Sequence, residues 1–292
     1  MKRVLIAVLL GLFAVALPLR GAAPVAAMGA TPPQRVVSIN LLTDQWLLLL
    51  AKPGQLASVT WLTHDPKYSP LWEAGRRVPA NFGSAEEVLR FKPDLVLAGR
   101  YAATATVAML QRLGVRVVVV DYPETFEGIA EQGREIARLI GVPEAGDRLA
   151  QQLLDRLARV RALQPAKPLR VLEYGQNGWT HGSGTVLDLL LRETGHRNLA
   201  AERGVHWMEQ ISLEELLRLQ PDGVIVTAPM PGTPALAYEI YDHAAFSRLG
   251  RGGRIITLPE GTADFGGPFT IEALEHLAAA LRTLPATPAP RL

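Results

Sequence analysis

Side chains suited to ligand binding are concentrated in loops that follow short apolar segments. The predicted ligand-binding residues are Trp61, Tyr68, Arg100, Tyr101, Trp179, His181, Trp207, Tyr238 and Phe265. Aromatic rings provide large, rigid and partly apolar contact surfaces, and Arg100 could pair with a carboxylate or a catecholate. These residues predict a site for a bulky ligand with an apolar body.

Histidines in the same loops indicate two further chemistries. His64, His181, His206 and Asp264 would together supply nitrogen and oxygen ligands for bare zinc or manganese. A single imidazole, with His181 as first choice, could instead ligate haem iron or the cobalt of a corrinoid. Both stay open as alternatives, and no resident cofactor or metal is expected.

The sequence also contains residue types that could form a hydrolytic site. Ser183, the pair His64 and Asp65, and Asp264 would supply a nucleophile and a base. However, residues 182–186 read GSGTV and lack the G-x-S-x-G pattern of a nucleophile elbow. We therefore expect a binding protein and no enzyme. A partner-binding module without a ligand would share these features and remains an alternative.

The loops must be positioned by strands, and Val- and Ile-rich segments predict them. The predicted strands are VVSIN (36–40), LASVT (56–60), LVLAG (95–99), VRVVVVD (115–121), LRVLEY (169–174), GVIVTA (223–228) and RIITLP (254–259). Helical patterns follow most of them, which favours an α/β fold with two Rossmann-like lobes. Ligands of such lobes bind outside the carboxyl ends of the strands.

A long helix is predicted between the two halves. Pro143 suits its first turn, and apolar residues recur at helical spacing from Leu149 to Val160. The predicted organisation is an N-terminal lobe at 28–140, a single interdomain helix at 141–164 and a C-terminal lobe at 165–292. A chain that crosses once between lobes through a helix should close over its ligand by only a small movement.

One segment occurs twice. SAEEVLRFKPDLVLA (84–98) and SLEELLRLQPDGVIV (212–226) share eight of fifteen residues, which indicates a duplicated structural unit. Ser84 and Ser212 are predicted helix N-caps, with Glu87 and Glu215 completing capping boxes. Glu86 and Glu214 have no such local role and are left to point outwards.

The N-terminus and the composition indicate export. Residues 1–27 combine Lys2 and Arg3 with an apolar run and small residues, as a secretory leader does. The chain has no cysteine, which excludes disulfides, thiol nucleophiles and a lipid-acceptor cysteine. The formal charge is +2, and removing the three basic residues of the leader leaves −1, which does not support nucleic-acid binding. The expected location is the periplasm.

The order and spacing of these segments resemble a known family. RVVSINLLTDQWLLLLA, GSAEEVLRFKPDLVLAGR, VLDLLLRETGHRNLA, ISLEELLRLQPDGVIV and GGPFTIEALEHLAAAL follow one another as in the periplasmic substrate-binding proteins of ABC importers for iron-siderophore complexes and cobalamin, the class III, helical-backbone group. The resemblance covers essentially the whole chain after the leader.

The resemblance implies a ligand, a cleft and a partner. A metal chelate, either a ferric siderophore or a cobalamin-like corrinoid, would be held between the lobes. An ABC transporter permease dimer would receive the loaded protein, which is expected to be a monomer. In this family a glutamate on each lobe pairs with arginines of the permease, and the matching positions here are Glu86 and Glu214.

Overall fold

The chain after its N-terminal segment forms two α/β lobes. The computed structural model describes residues 31–102, 104–226, 244, 246, 253–259, 261–263 and 265–284. The predicted leader, residues 1–27, lies outside them. Along the described part of the chain, no helix combines the length and apolarity needed to cross a membrane.

The N-terminal lobe is built on a five-stranded parallel sheet. Its strands are β1 (Val36–Ser38), β2 (Leu56–Thr60), β3 (Ala80–Asn81), β4 (Leu95–Gly99) and β5 (Val117–Val120), in the order β3-β2-β1-β4-β5. All neighbouring pairs are parallel. The loops after the five strands therefore emerge at one edge of the sheet, where the α/β architecture places ligands.

The C-terminal lobe follows the same plan, with four parallel strands among its described residues. Its parallel sheet contains β6 (Arg170–Glu173), β8 (Arg197–Asn198), β10 (Gly223–Val226) and β11 (Ile255–Thr257), in the order β11-β10-β6-β8. A separate antiparallel ribbon pairs β7 (Trp179–His181) with β9 (Met208–Gln210). The two-lobed α/β class predicted from the sequence is thus confirmed.

Helices connect and cover the strands. They are α1 (Leu41–Leu50), α2 (Trp72–Gly75), α3 (Ala85–Arg90), α4 (Thr104–Arg112), α5 (Phe126–Leu139), α6 (Pro143–Arg161), α7 (Val186–Glu193), α8 (Leu199–Glu202), α9 (Leu213–Leu219) and α10 (Thr270–Thr283). The long helix predicted between the lobes is α6, with Pro143 in its first turn. Its 19 residues span about 28 Å at 1.5 Å per residue.

The main hydrophobic core is continuous between the lobes. Trp46 of α1, Phe126 of α5, Leu157 of α6, Leu190 of α7 and Ile271 of α10 belong to one buried cluster. Trp46 is a core residue, because it is only 1% exposed. A shared core resists large hinge opening more than a flexible linker would.

Gly133 provides a test of this core. A Cβ atom at this position would lie 2.6 Å from the Trp46 ring, and the packed interior leaves little room for it. Gly133→Ala is expected to lower the free energy of unfolding by ~1–3 kcal/mol in urea denaturation. Glu135→Ala, on the exposed face of the same helix, is the matched control and should change it by less than ~0.5 kcal/mol. Equal stability of the two variants would contradict the packing described.

The sequence repeat corresponds to a repeated geometry. Ser84 and Ser212 are the N-caps of α3 and α9, and each hydroxyl accepts the N–H of the residue three positions on, as predicted. Lys92 and Gln220, which precede the Pro-Asp of each copy, share a left-handed backbone with a φ of 47°.

The aspartate of each repeat anchors the first strand of its own lobe. Asp94 accepts the N–H of Arg35 at 3.0 Å, and Asp222 accepts the N–H of Arg170 at 2.8 Å. The repeat is therefore one structural unit used once in each lobe.

Candidate ligand-binding site

Three aromatic rings form a cluster at the carboxyl edge of the N-terminal sheet. Trp61 directly follows β2, and Phe82 follows β3. Their rings stack with centroids 6.1 Å apart and planes at 24°, and Tyr68 meets Trp61 edge-on at 6.3 Å. Trp61 is 43% exposed and Phe82 73% exposed. Large apolar rings left this accessible form a ready contact face for a ligand.

A second aromatic pair lies along the same edge, after β4 and β5. Tyr101 stacks on Tyr122 with ring centroids 5.4 Å apart, and the Tyr122 hydroxyl accepts a hydrogen bond from the Asn40 side chain at 2.9 Å. Arg100 forms an ion pair with Asp121. The predicted anion-binding arginine is therefore already neutralised by a neighbour in this structure.

The C-terminal lobe presents its aromatic residues on the two-stranded ribbon. Trp179 opens β7, Trp207 precedes β9, and His181 ends β7. The first two are exposed. The His181 ring contacts the carboxylate of Glu173. The ribbon follows β6 in the chain, so these rings belong to the loops where the sequence predicts ligand contacts.

Trp207 has a backbone conformation that a large side chain rarely adopts. Its φ is 65°, although its side chain is 53% exposed and therefore not forced there by burial. Its N–H and carbonyl bond to Ser183 and Gly182 across the ribbon. Such strain costs ~1–3 kcal/mol and concentrates at functional positions.

A segment of the C-terminal lobe packs against the N-terminal lobe beside the aromatic cluster. Gly261 is buried, and a Cβ atom on it would lie 2.8 Å from the carbonyl oxygen of Tyr68. A Cβ on Gly267 would lie 3.0 Å from Leu42 of α1. Phe265, between them, packs partly buried against the main core.

Two of the nominated site residues, Tyr238 and Asp264, lie outside the described residues. Of the remaining ligand-binding candidates, Trp61 and Tyr68 come together in one cluster, and Arg100 and Tyr101 lie farther along the same sheet edge. Trp179 and His181 lie in β7, and Trp207 immediately precedes β9. The assignment of these residues to ligand contact stays a prediction.

Comparison with known proteins agrees with this architecture. A family profile described as "Periplasmic binding protein" matches residues 36–261, which is more than half of the chain. The chain belongs to the periplasmic binding protein family. The resemblance stated from the sequence is thereby confirmed.

Two relatives of this binding protein are informative. The vitamin B12-binding protein of Salmonella typhimurium is 34% identical over 145 residues, which cover 48% of this chain and 54% of that protein. An uncharacterized ABC transporter substrate-binding lipoprotein, YvrC of Bacillus subtilis, is 24% identical over 84% of this chain and 79% of its own. The match thus spans about half of the Salmonella protein.

The solved structures include a periplasmic heme-binding protein, RhuT of Roseiflexus sp. RS-1, in apo form. It is 25% identical, covers 85% of this chain and 97% of its own, and superposes with a TM-score of 0.70. The two-lobed fold is therefore that of known periplasmic binding proteins.

The histidines of the alternative metal site have separate partners in this binding protein. The His64 ring bonds the Val78 carbonyl at 3.0 Å, the His206 ring bonds the Ser183 hydroxyl at 3.1 Å, and His181 contacts Glu173. Within the described ranges, no three His, Asp or Glu side chains gather as a metal site would require. The structure therefore does not bring His64, His181 and His206 together.

The two glutamates assigned to permease docking occupy equivalent places. Glu86 is exposed in the first turn of α3 and forms an ion pair with Arg90 at 3.1 Å. Glu214 is exposed in the first turn of α9. Burial raises the pKa of the Tyr174 phenol, and the nearby Glu214 charge raises it further.

The capping boxes differ from the prediction. The Glu87 carboxylate accepts the N–H of Phe82 at 3.0 Å instead of that of Ser84. Glu215 is drawn to Arg203 and Arg218, because two nearby guanidinium groups attract its carboxylate more strongly than one amide. The second glutamate of each copy therefore has a local role, although its partners differ between the lobes.

Sequence reasoning missed Phe82 and Asp44. Phe82 is a single aromatic residue between Asn81 and Gly83, with no pattern that separates it from an ordinary loop residue. Asp44 lies in the apolar segment of α1 and is 0% exposed. Its carboxylate accepts hydrogen bonds from Thr60 and Thr63, the residues on either side of the Trp61 turn.

The buried Asp44 predicts a dependence of stability on pH. Burial raises its pKa to about 6 from 3.8, although hydrogen bonds from Ser38, Thr60 and Thr63 oppose the rise. A raised folded-state pKa means that this carboxyl stabilises the fold fully below pH 3.8, and that the contribution is lost as pH rises through 6. Asp44→Asn removes this titration.

The stability of the wild-type chain relative to Asp44→Asn should therefore fall by ~2 kcal/mol between about pH 4 and about pH 7. Urea unfolding of both proteins across this range measures the difference. A constant difference would contradict the burial described for this carboxyl.

Proposed function

We propose that this chain captures a metal chelate in the periplasm and delivers it to an ABC permease, and that the chelate is a cobalamin-like corrinoid. The observation that carries the proposal is the exposure of aromatic rings at the ligand-binding edges of both lobes. Trp61 and Phe82 form a stacked face on one lobe, and Trp179 and Trp207 stand on the other. Exposed aromatic rings on each of the two lobes suit a broad ring system with a largely apolar periphery.

The charge of the site favours a corrinoid over a highly anionic ferric siderophore. Arg100, the basic residue that follows β4, is paired with Asp121, so an anionic ligand would have to displace a carboxylate that is already in place. A tri-catecholate needs several convergent cations. The similarity to the Salmonella vitamin B12-binding protein supports the same choice.

Haem is the second candidate, because the similar Roseiflexus structure is that of a heme-binding protein. Tyr101, which is 70% exposed at the sheet edge, has a phenol oxygen that could ligate ferric iron.

The remaining alternatives are weaker. A bare divalent metal lacks a gathered set of ligands among the described residues, and the family is one of binding proteins, which supports a non-enzymatic role.

The partner and the compartment follow from the same proposal. Export under the leader, residues 1–27, would release the binding protein into the periplasm. A permease dimer would then dock on both lobes through Glu86 and Glu214. Its relative in Bacillus subtilis is an ABC transporter substrate-binding lipoprotein; the absence of cysteine in this chain excludes a cysteine-linked lipid.

Tryptophan fluorescence tests the ligand class. Titration of the leaderless chain with cyanocobalamin should quench emission to saturation at one equivalent with a micromolar or tighter Kd, because Trp61, Trp179 and Trp207 lie at the site. Haemin, a ferric tri-catecholate and zinc chloride are titrated in parallel. Tight binding of haemin alone would transfer the assignment to haem, and no response to any of the three chelates would overturn the chelate-capture proposal, whether or not zinc binds.

A further inference from the structure

A buried polar layer lies beneath the exposed aromatic face of the N-terminal lobe. Asp44, in the first turn of α1, is its charged member and is 0% exposed. Its carboxylate accepts the N–H of Thr60 at 3.0 Å and the hydroxyl of Thr63 at 2.7 Å, together with the hydroxyl of Thr60. Thr60 precedes Trp61 in the chain and Thr63 follows it. The Asp44 carboxylate therefore fixes the turn that carries the Trp61 ring at both of its ends.

Hydrogen bonds alone compensate the Asp44 charge. None of the ion pairs formed by the described residues includes it. It is the sole titratable residue of α1, and β1, β2 and β3 contain none. In the following turn, the His64 ring faces the Val78 carbonyl, and Asp65 accepts the N–H of Lys67. Because no cation pairs with the carboxylate, these hydrogen bonds to a charged group are strong and geometrically demanding.

Asn81 fixes the backbone beside Phe82, as Asp44 fixes the turn of Trp61. Its buried side-chain amide donates to the Ser38 carbonyl at 2.9 Å and to the Ser58 hydroxyl at 2.8 Å, and its oxygen accepts the N–H of Gly83 at 3.0 Å. The backbone on both sides of Phe82 is therefore fixed to β1 and β2. The two stacked rings, Trp61 and Phe82, thus rest on adjacent buried polar anchors.

We propose that Asp44 is a positioning residue for ligand capture, whose ionised carboxylate holds Trp61, and with it the stacked Trp61–Phe82 face, in the orientation that the ligand meets. The inference rests on the proposed function and adds to it a residue that does not touch the ligand. An ionised carboxylate accepts every hydrogen bond observed here. Both threonine hydroxyls and the shorter Thr60 N–H contact reach Oδ2, while the Thr60 N–H also lies 3.2 Å from Oδ1. Protonation of Oδ1 places a donor opposite the Thr60 N–H and removes the negative charge that strengthens the bonds to Oδ2.

A pH dependence of affinity follows. The pKa of Asp44 is raised by burial to about 6, so the carboxyl is largely ionised above pH 7 and largely neutral at pH 5. Affinity should be highest where the carboxylate is ionised and should fall on acidification, by about tenfold between about pH 7.5 and about pH 5. The folded protein is therefore less stable when Asp44 is ionised than when it is neutral. The ionised form is nevertheless the one that binds the ligand more tightly.

The test measures the Kd for cyanocobalamin across this pH range with the leaderless chain and matched variants. Asp44→Asn is expected to bind about tenfold more weakly at about pH 7.5 and to lose the pH dependence. Asp65→Asn makes the same change one residue after the Trp61 turn, and should follow the wild type. Thr63→Val should weaken binding, whereas Thr63→Ser, which keeps the hydroxyl, should restore it.

The outcomes separate the two proposals. If the wild type binds and Asp44→Asn retains both its affinity and its pH profile, the positioning role is overturned while the proposed function stands. If Asp44→Asn does not fold, as judged by far-UV circular dichroism, the comparison of Thr63→Val with Thr63→Ser decides, and equal affinities overturn the role. If the wild type binds none of cyanocobalamin, haemin and the ferric tri-catecholate at any pH, both proposals fail.

Discussion

Replacing Glu86 and Glu214 together by arginine is expected to abolish transport by the permease while leaving the ligand Kd within about twofold of the wild type. The two glutamates occupy the same position in the two copies of one structural unit, each two residues after an N-cap serine. Both are exposed in the first turn of their helices, and neither belongs to the aromatic site. A partner that contacts both lobes at once would meet two equivalent carboxylates.

The reversal should have a large effect because it changes attraction into repulsion at both lobes. Exposed charge pairs contribute modest affinity, yet they set the orientation and the rate of docking, and like charges placed opposite each other cost several kcal/mol. Either single reversal should leave partial transport, since one lobe still docks. The wild-type rate should also fall with rising salt, as expected for exposed charges.

The measurement is ligand uptake into proteoliposomes that contain the cognate permease and its ATPase. The matched control is the double reversal Glu144→Arg with Glu272→Arg, which changes the net charge equally at exposed first-turn glutamates of α6 and α10. Transport by the control should match that of the wild type. Uptake retained by the Glu86 and Glu214 double variant, or lost equally in the control, would remove the docking assignment.

Trp207→Gly should lower ligand affinity by about tenfold to a hundredfold without loss of stability. The ring supplies apolar contact area in the proposed site, and burying an aromatic side chain against a ligand contributes ~1.5–3 kcal/mol. Its φ of 65° is in the region that glycine adopts without strain. The substitution therefore removes a contact and relieves the backbone at the same time.

Two further variants separate these effects. Trp207→Ala loses the same ring but keeps the strain, and should be ~1 kcal/mol less stable than Trp207→Gly. Gln220→Gly relaxes another left-handed residue, at the end of α9, and should stabilise the fold without changing affinity. Thermal unfolding and ligand titration of the three variants measure both quantities. If Trp207→Gly binds the ligand as tightly as the wild type does, Trp207 is not part of the site.

Much of the fold could be predicted because its strands are continuous apolar segments. LASVT and LVLAG coincide with β2 and β4, and Pro143 begins the long helix as expected. The strands that were missed are two or three residues long. β9, for example, is exposed at all three residues and depends on pairing with β7, a contact between distant segments that no local pattern indicates.

The candidate site was only partly predictable for a related reason. Exposed aromatic residues such as Trp61 and Trp207 are conspicuous in loops, whereas Asp44 is placed by tertiary structure among the leucines of α1. Its donors come from a turn 16 to 19 residues away. Glu215 was also mispredicted because a contact outside the local sequence decides its role. The local sequence favours a capping box, but the carboxylate pairs with Arg203.

If the ligand is held between the aromatic faces of the two lobes, removing one ring from each lobe should abolish binding. Equilibrium dialysis of coloured cyanocobalamin compares the wild-type chain with the double variant Trp61→Ala with Trp207→Ala. The wild type should retain one equivalent at micromolar concentration, and the folded double variant should retain almost none. Equal retention by the two proteins, or none by the wild type, would contradict it.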